Sequence, residues 1–446
     1  MNTDNTPIEK VSNLIKNSVT LKLVTITFLM LLLLIPASMI QSIIQEREQL
    51  NNETTNEVSA KWANEQLING PILSIPVIYE YEKDDEKISV TKYWQILPEN
   101  LNITGDIVPE KLKRGIYEVV VYKSVLAISG NFLIKSQPDP NNLKQIQFDQ
   151  AFLTIGISDL RGIKNKINLK WNGGNLNVNP GSKLQDIIYS GVTIDLPSLA
   201  KQTGNEIPFS FDLDLQGSKK LAFIPIGSTT NVNLKSPWES PSFNGNFLPD
   251  NRELGEDGFT ADWTILQLNR NYPQTWIGNG QRQQMQESSF GVELILPLDD
   301  YQKSYRSAKY AVMTIALTFL IFFLVEVLNK RKIHPFQYAL VGLALCLFYI
   351  LLVSISEHTN FNVAYGISTL GIVIMISLYS LSVFKKMKLS LLLITTITGI
   401  YGFLFVTLQL ADYALLMGSV GLTIILGLTM YFTRNINWYK LNIETE

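Results

Sequence analysis

Long apolar runs constrain this chain more than any other feature. Six stretches of 17 to 23 residues are almost free of charge, and Glu326 is the one charged residue inside them. A helix that crosses the hydrocarbon core of about 30 Å needs about 20 mostly apolar residues, because each adds about 1.5 Å. Helices of a soluble core would instead show polar faces. We predict six transmembrane helices, over Leu23–Ile40, Tyr310–Leu328, Tyr338–Ser354, Asn362–Phe384, Leu389–Leu410 and Tyr413–Phe432.

Charge is distributed unevenly along the chain. Residues 41–309 contain 26 basic and 32 acidic side chains, whereas the other 177 residues contain 11 and 7. The middle therefore has a net charge of −6 and the two ends together have +4. This split predicts a water-soluble insert after the first membrane helix. The total of −2, without a strongly basic tract, argues against a nucleic-acid-binding protein.

The basic residues indicate the orientation in the membrane. If the N-terminus is cytoplasmic, all 11 basic residues of the membrane part fall in cytoplasmic segments, and the short outer loops Ile355–Phe361 and Gln409–Asp412 have none. Cytoplasmic loops of membrane proteins carry an excess of Lys and Arg. We therefore predict that both termini are cytoplasmic. The predicted domains are a cytoplasmic N-terminus (1–22), a transmembrane anchor (23–40), an exported β-rich domain (41–309), a five-helix bundle (310–432) and a cytoplasmic tail (433–446).

The first apolar run has no Ala-x-Ala cleavage site, which favours an uncleaved signal anchor. Cleavage is the alternative, and it would place the new N-terminus outside.

After the anchor, the polar segment from Gln41 to Leu67 lacks Gly and Pro, and Val58 and Trp62 stand at i and i+4. This pattern predicts a helix that continues out of the first span and ends at Gly70-Pro71.

The rest of the insert has short alternating runs between turn residues. Such a texture is typical of antiparallel strands in a sandwich-like fold. Asn172-Gly173-Gly174 is a predicted tight turn. The predicted strands are Ile72–Tyr81, Tyr117–Leu126, Phe148–Ile155, Ile163–Trp171, Phe209–Leu215, Val232–Leu234 and Phe290–Leu296.

Two similar segments suggest a division of the insert. Asn168–Trp171 (NLKW) and Asn233–Trp238 (NLKSPW) each follow a Gly-containing turn and end in tryptophan. We predict two β-rich subdomains from them, which either arose by internal repetition or resemble each other by chance.

Residues for catalysis or metal binding are scarce. The insert contains no histidine, and the single cysteine, Cys346, excludes an intramolecular disulfide. No nucleophile elbow, phosphate-binding loop or zinc-binding helix motif occurs. We therefore predict no catalytic residue, no metal site and no cofactor, and a non-enzymatic function. A hydrolase that uses the carboxylates of the insert is the alternative.

Ionisable residues in or near the apolar runs are candidates for function. Glu326 lies four residues before Lys330, which predicts an interfacial ion pair. Glu357, His358 and Asp412 lie at the predicted outer interface. Asp412 precedes a predicted helix, where a carboxylate favours the positive end of the helix dipole. We expect these three to cap and anchor helices rather than to relay protons, and keep them as binding candidates.

An aromatic segment rich in Pro and Gly, Trp238–Pro249, is the other candidate. It is either a binding loop or a packed β-corner. The binding candidates within it are Trp238, Pro241, Ser242, Phe243 and Gly245.

Short motifs along the chain carry a resemblance to a known protein family. They occur in order from about residue 40 to residue 440, so the resemblance covers nearly the whole chain. The motifs are Gln45-Glu46-Arg47, Glu57-Val58-Ser59 with Trp62 and Gln66, Gly70-Pro71-Ile72-Leu73, Phe223-x-Pro225-x-Gly227, Trp238-x-x-Pro241-Ser242-Phe243-x-Gly245-x-Phe247-Leu248-Pro249, Phe290-Gly291-Val292, Tyr301-Gln302, Ile333-His334-Pro335-x-Gln337-Tyr338, Ser356-Glu357-His358, Asp412-Tyr413-Ala414-Leu415-Leu416 and Met430-Tyr431-x-Thr433-Arg434.

Together these motifs resemble the CreD family of bacterial inner-membrane proteins. The resemblance implies a cell-envelope integrity protein of a Gram-negative inner membrane, with its large domain in the periplasm. It also implies an association with a two-component system, envelope stress and the β-lactam response, and it supplies no catalytic residues. We expect the lipid bilayer and a periplasmic protein or envelope polymer as partners. A transporter or lipid-handling protein gated by the periplasmic domain is the alternative.

Overall fold

The computed structural model describes residues 19–83, 85–135, 137–296, 300–329, 333–410 and 413–434. The chain divides into two compact units. Asn51–Pro297 forms one, called the β-rich unit below. Met1–Leu50 and Leu298–Glu446 together form the other, called the helical unit.

Apolar helices build the helical unit. Among the described residues, α1, α4, α5 and α6 are each long and apolar enough to cross a membrane. Helices α2 and α3 meet at a bend of 41° and give a fifth span if they are taken together, whereas the apolar part of α7, Leu416–Tyr431, is shorter. The structure thus has four or five membrane-spanning candidates, and the sixth span stays a prediction. The bounds are α1 Val19–Trp62, α2 Asp300–Lys309, α3 Ala311–Leu328, α4 Pro335–Ser356, α5 Phe361–Phe384, α6 Met387–Gln409 and α7 Ala414–Thr433.

Local sequence determines where two of these helices begin. Before α4, the His334 side chain accepts a hydrogen bond from the Phe336 backbone N–H at 3.2 Å, and Pro335 takes the first helical position. Before α5, the Asn360 side chain accepts from the Val363 N–H at 2.9 Å. These side chains satisfy backbone donors that a helix start leaves without an intrahelical partner.

The first helix ends earlier than predicted. α1 stops at Trp62, and a strand begins at Gln66, so Gly70-Pro71 lies inside that strand and does not end the helix. Two residues distant in sequence set this boundary: Asp159 accepts from the Asn64 N–H at 2.9 Å, and Arg161 donates to the Ala60 carbonyl. No local pattern shows these partners, which is why the prediction was wrong.

Eighteen strands among the described residues make up most of the β-rich unit. A short helix, Arg282–Glu287, precedes the last of them. The strands are β1 Gln66–Lys83, β2 Glu86–Ile96, β3 Asn100–Arg114, β4 Tyr117–Leu133, β5 Leu143–Ile146, β6 Phe152–Ile157, β7 Leu169–Trp171, β8 Gly174–Leu176, β9 Asn179–Pro180, β10 Gly191–Asp195, β11 Glu206–Ser218, β12 Lys220–Phe223, β13 Thr229–Ser236, β14 Pro241–Gly245, β15 Asn251–Gly255, β16 Gly258–Leu266, β17 Thr275–Ile277 and β18 Phe290–Leu294.

The strands form two sheets. In the part of the chain that the structure describes, one sheet has ten strands along the order β14-β18-β12-β1-β6-β10-β9, with β2, β5 and β17 attached beside this path. The other has eight, in the order β15-β16-β13-β3-β4-β11-β7-β8. Buried residues from both sheets share a hydrophobic core, which includes Leu73, Leu153, Leu213 and Trp263. The predicted sandwich-like arrangement of strands is therefore observed.

The order of exposed and buried residues along a strand shows whether one or both of its faces are buried. β3 alternates exposed and buried residues from Asn100 to Val108, so one of its faces packs on the core and the other meets solvent. β6 is buried at every position. The predicted turn at Asn172-Gly173 is confirmed: both residues have positive φ, +46° and +84°, and they join β7 to β8 as a two-residue hairpin.

A duplicated arrangement of strands replaces the two predicted subdomains. β1, β3, β4 and β6 follow the same path as β12, β13, β16 and β18: the outer two strands of each set lie in the ten-stranded sheet and the inner two pair in the eight-stranded sheet. Equivalent strands lie side by side and parallel, as β1 with β12 and β3 with β13.

The sequence signal for the repeat was nevertheless the wrong one. NLKW includes β7, whereas NLKSPW begins in β13, whose equivalent in the duplication is β3. Both segments enter the same eight-stranded sheet of one compact unit, so they do not mark two subdomains. Their likeness is one of composition at two unrelated positions of the fold.

Candidate functional site

The aromatic segment predicted to bind or to pack lies at an edge of the ten-stranded sheet. Its strand β14 pairs with β18 from Pro241, opposite Leu294, to Gly245, opposite Phe290. Phe243 packs edge-on against Trp263, with ring centroids 5.8 Å apart. The segment is therefore a β-corner whose phenylalanine contributes to the core.

Gly245 is required at the end of this edge strand. Its φ is +106°, and a Cβ there would clash with the Ser289 carbonyl oxygen. Only glycine combines this backbone conformation with so close an approach of two chains. Beside it, the Ser242 hydroxyl bonds to the Asn244 side chain at 3.0 Å, and Asn244 donates to Glu293 at 2.5 Å.

Trp238 stands at the surface end of the segment. Its indole N–H donates to the Ser240 and Ile295 carbonyls at 3.1 and 3.0 Å, and its ring is half-buried. The Lys111 ammonium lies 5.5 Å from the ring centroid. The five predicted residues of this segment are thus brought together, with Phe243 facing the core and Trp238 and Ser242 partly open to solvent.

A groove of about 610 Å³ lies next to Trp238 in the chain. It is lined by β3, by the end of β13 with Pro237, and by the hairpin of β15 and β16. Four charged side chains line it, and Val108 and Leu254, each 58% exposed, add apolar surface. The charged residues are Asp106, Lys235, Glu253 and Asp257. Sequence analysis missed this groove because its strands come together only through sheet register.

Arg270 is a second feature of the β-rich unit that sequence analysis missed. It is 8% exposed, and it donates to the Tyr272 carbonyl at 3.0 Å, to the Ile226 and Gly227 carbonyls at 3.2 and 3.3 Å, and to the Gln274 side chain. Burial lowers the pKa of its guanidinium from the ordinary value. The arginine holds together the loops that connect β12 to β13 and β16 to β17.

In the helical unit, Glu357 and His358 follow α4 as predicted. The Glu357 carboxylate lies 3.6 Å from Arg47 Nε of α1 and 3.5 Å from the Tyr301 hydroxyl of α2. His358 is exposed, and its backbone N–H donates to Ile355. Glu357 therefore ties three helices together, whereas the neighbouring imidazole faces outward. The third candidate of this group, Asp412, lies outside the described residues.

Glu326 has a partner that its local sequence does not predict. It is 1% exposed and pairs with Lys22 of α1, and Lys330 lies outside the described residues. The Tyr338 hydroxyl and the Ile333 N–H also donate to this carboxylate, at 2.9 and 3.0 Å. The ion pair therefore lies inside the unit, and it connects the first helix to α3 and α4. A separation of 304 residues hides this pairing from any sequence pattern.

Tyrosines inside the helical unit form a further polar group. The Tyr349 hydroxyl bonds to the Thr314 side chain at 3.2 Å, and the Tyr365 hydroxyl donates to the Tyr401 carbonyl at 2.7 Å. A groove of about 390 Å³ between α5 and α6 is lined by Tyr365, Thr369, Thr398 and other residues.

Within the described ranges, no three His, Cys, Asp or Glu side chains come together in a way that could hold a metal ion.

Comparison with known proteins shows which family the chain is similar to. A family model described as "Inner membrane protein CreD" matches residues 18–439. The inner membrane protein CreD of Escherichia coli strain K12 is 34% identical over 436 residues, which is 96% of each chain. Both matches are named as an inner membrane protein.

Proposed function

Because the chain belongs to the CreD family of inner membrane proteins, we propose that it is a cell-envelope integrity protein that acts through its β-rich unit. In this proposal the unit faces the periplasm and serves as a binding or scaffolding module under envelope stress. The helical unit holds it in the membrane. Family membership supports the envelope role, and the separation of the chain into a helical and a β-rich unit supports this division of labour.

The proposed topology has six spans with both termini in the cytoplasm. Its support is the distribution of basic residues: Lys385, Lys386 and Lys388 cluster where α5 meets α6, and the outer loops contain no Lys or Arg. The proposed domain limits are those that the charge pattern predicts, with the exported segment at 41–309.

The observation that carries the binding proposal is the groove of about 610 Å³ beside Trp238. A partly exposed tryptophan next to a groove with both charged and apolar walls is the kind of surface on which binding energy concentrates. Ser242 and Asn244 add polar groups on the adjacent edge strand. We place the partner, a periplasmic protein or an envelope polymer, on this side of the unit.

Complementation of a deletion strain tests the proposal. The full-length Trp238→Ala variant, expressed at wild-type membrane abundance, should fail to restore the permeability barrier to a hydrophobic dye and the wild-type β-lactam sensitivity. Tyr189→Ala is the matched control, because Tyr189 is an aromatic of the same unit, 80% exposed and outside the groove. Full rescue by Trp238→Ala would remove the binding role from this surface.

Glu326 favours a second candidate function, lipid or solute handling by the helical unit. Ionisable residues buried among membrane helices mark transport pathways in many proteins, and Glu326 is 1% exposed. The groove beside Thr369 and Thr398 offers an apolar surface for a lipid chain. Purified protein in vesicles should then change lipid or solute flux, and Glu326→Gln should reduce it. Vesicles with the same flux as protein-free vesicles would dismiss this candidate.

A further inference from the structure

The solvent-facing side of the eight-stranded sheet forms a regular polar surface. Its central strands are β16, β13 and β3, followed by β4 and β11, and residues of one register lie in rows across them. One row runs through Thr264, Asn231, Asn102, Ser129 and Ser210. Every side chain in it is short and carries an amide or a hydroxyl. We call the outward side chains of β16, of β13 and of the part of β3 that pairs with β13, Asn100–Asp106, the polar face.

Asparagine is the unusual component of this surface. Strands are normally depleted in Asn, since its side chain competes for backbone hydrogen bonds. Yet outward positions of β3 and β13 hold Asn100, Asn102, Asn231 and Asn233. A solvated strand needs no such choice, because Thr, Lys or Glu would serve it better. The repeated use of Asn therefore points to recognition by amides.

Neighbouring strands fix these amides in place. The Asn231 side-chain amide donates to the Asn102 side-chain oxygen at 2.9 Å, and that of Asn100 donates to the side-chain oxygen of Asn131, on β4, at 3.0 Å. Each amide has two N–H donors and an oxygen with two lone pairs, so one cross-strand bond leaves capacity for a ligand. Side chains that are already ordered lose less entropy on binding. The face is thus a preorganised array of donors and acceptors.

The charged residues of the polar face restrict the chemical class of ligand that is complementary to it. Where β3 pairs with β13 and β13 pairs with β16, Lys235 is the one cation at the described outward positions, whereas Asp106 and Asp262 are acidic. The exposed Glu110 and Arg114 lie further along β3, beyond this paired stretch. Nucleic acids and phosphorylated lipid headgroups require clusters of Lys and Arg. Protein partners are usually anchored by aromatic residues and Arg, and these described positions contain neither. A flat ligand with many neutral hydrogen-bonding groups is complementary to this face.

We propose that the polar face binds a glycan strand that carries hydroxyl and acetamido groups. Such a polymer presents donors and acceptors along its length that match the amides and hydroxyls of the rows. The groove of about 610 Å³ continues the face, since it shares Asp106, Lys235 and Thr260, and exposed Val108 and Leu254 provide apolar contact for acetamido methyl groups. This assignment rests on the proposed function and names the envelope polymer in it.

Binding of a defined oligosaccharide to the full-length protein tests the assignment. The probe is the soluble hexamer of N-acetylglucosamine, titrated by calorimetry into the protein in detergent, with isolated cell-wall sacculi as a second probe. The wild type should bind both. The double variant Asn102→Ala/Asn231→Ala should weaken hexamer binding about tenfold, because it removes two preordered amides.

Two further variants distinguish a specific loss of binding from misfolding. Asn177→Ala/Asn179→Ala is the matched control, because both asparagines are exposed and lie outside the polar face; it should bind like the wild type. Thr104→Val keeps the shape and the strand preference of its residue while removing one hydroxyl of the face, and should weaken binding by about threefold. Tryptophan fluorescence during unfolding reports whether each variant retains its fold.

Several results would overturn the glycan assignment. Wild-type protein that binds neither probe contradicts it, as does undiminished binding by a folded Asn102→Ala/Asn231→Ala variant. Capture of a protein through the same asparagines without glycan binding also contradicts it. A wild-type chain that restores the envelope of a deletion strain yet binds neither probe removes the glycan and leaves the proposed function standing.

Discussion

The helical unit and the β-rich unit each bury a charged side chain, and they stabilise it differently. Glu326 of the helical unit has a cation, Lys22, as its partner and accepts two further hydrogen bonds. Arg270 of the β-rich unit donates to carbonyl groups and to one side-chain amide, and no carboxylate among the described residues forms an ion pair with it.

The difference follows from the surroundings of each group. Among apolar helices no water can solvate a charge, so a carboxylate there requires a counter-ion as well as hydrogen bonds. In the β-rich unit, several carbonyl dipoles stabilise the guanidinium, which remains 8% exposed. Partners that are far apart in sequence are therefore essential in both units, but the helical unit depends on a charge pair and the β-rich unit on loop carbonyls.

Removal of Lys22 should have the largest effect on stability. Lys22→Met leaves Glu326 buried without its cation and should cost about 3 kcal/mol of unfolding free energy. Adding Glu326→Gln removes the charge and should recover most of that loss. Denaturant titration of the purified chain, followed by helical circular dichroism, measures both, with Lys386→Met at an exposed position as the control. A double variant as unstable as Lys22→Met would show that the charge pair is not what matters.

Replacement of Arg270 tests the other side of the comparison. Arg270→Met should cost about 2 kcal/mol, because the Ile226, Gly227 and Tyr272 carbonyls lose buried donors. Arg270→Lys should restore little, since an ammonium cannot reproduce the planar fork of a guanidinium. Tryptophan fluorescence reports on this unit, which contains six of the seven tryptophans.

Arg252→Met, at an exposed position of the same unit, is the control and should change stability by under about 0.5 kcal/mol. If Arg270→Lys were as stable as the wild type, a positive charge alone would suffice, and the contrast with Glu326 would disappear.

Asp159 gives a smaller effect that depends on pH. Hydrogen bonds from Arg161 and from the Asn64 N–H lower the pKa of its carboxyl group from 3.8 to about 2. A lowered pKa in the folded state means that the carboxylate stabilises the fold above pH 3.8 and that this contribution fades as the pH falls towards 2. Asp159→Asn should therefore cost about 2 kcal/mol at neutral pH and almost nothing near pH 2. If the loss of unfolding free energy in Asp159→Asn did not change with pH, the ionised Asp159 carboxylate would not be what stabilises the end of α1.

Local patterns predicted the parts of the structure that local physics determines. The apolar runs predicted helices because the required length and hydrophobicity lie within each run, as in α5 and α6. The Asn172-Gly173 turn was predictable because both residues tolerate positive φ. The β-corner that the sequence offered for the aromatic segment is observed, since Phe243 packs against Trp263 at the edge of the core. Binding by the partly exposed Trp238 stays a prediction.

Features that depend on distant partners were not predictable. Lys22 meets Glu326, and Asp159 meets Asn64, only after the chain has folded. The polar face depends on the register of β3 against β13, which are parallel and more than 100 residues apart. The sequence contains each residue of these contacts, but it does not show which residues pair.

Exposure of introduced cysteines on intact cells tests the central claim, that the β-rich unit works in the periplasm. Tyr189→Cys lies in that unit at a position that is 80% exposed, and Met387→Cys lies at the start of α6, 72% exposed. The native Cys346 is 3% exposed and serves as the background. With a permeabilised outer membrane, an impermeant maleimide should label Tyr189→Cys at once and Met387→Cys only after lysis. Labelling of Met387→Cys in intact cells, with Tyr189→Cys protected, would contradict the account.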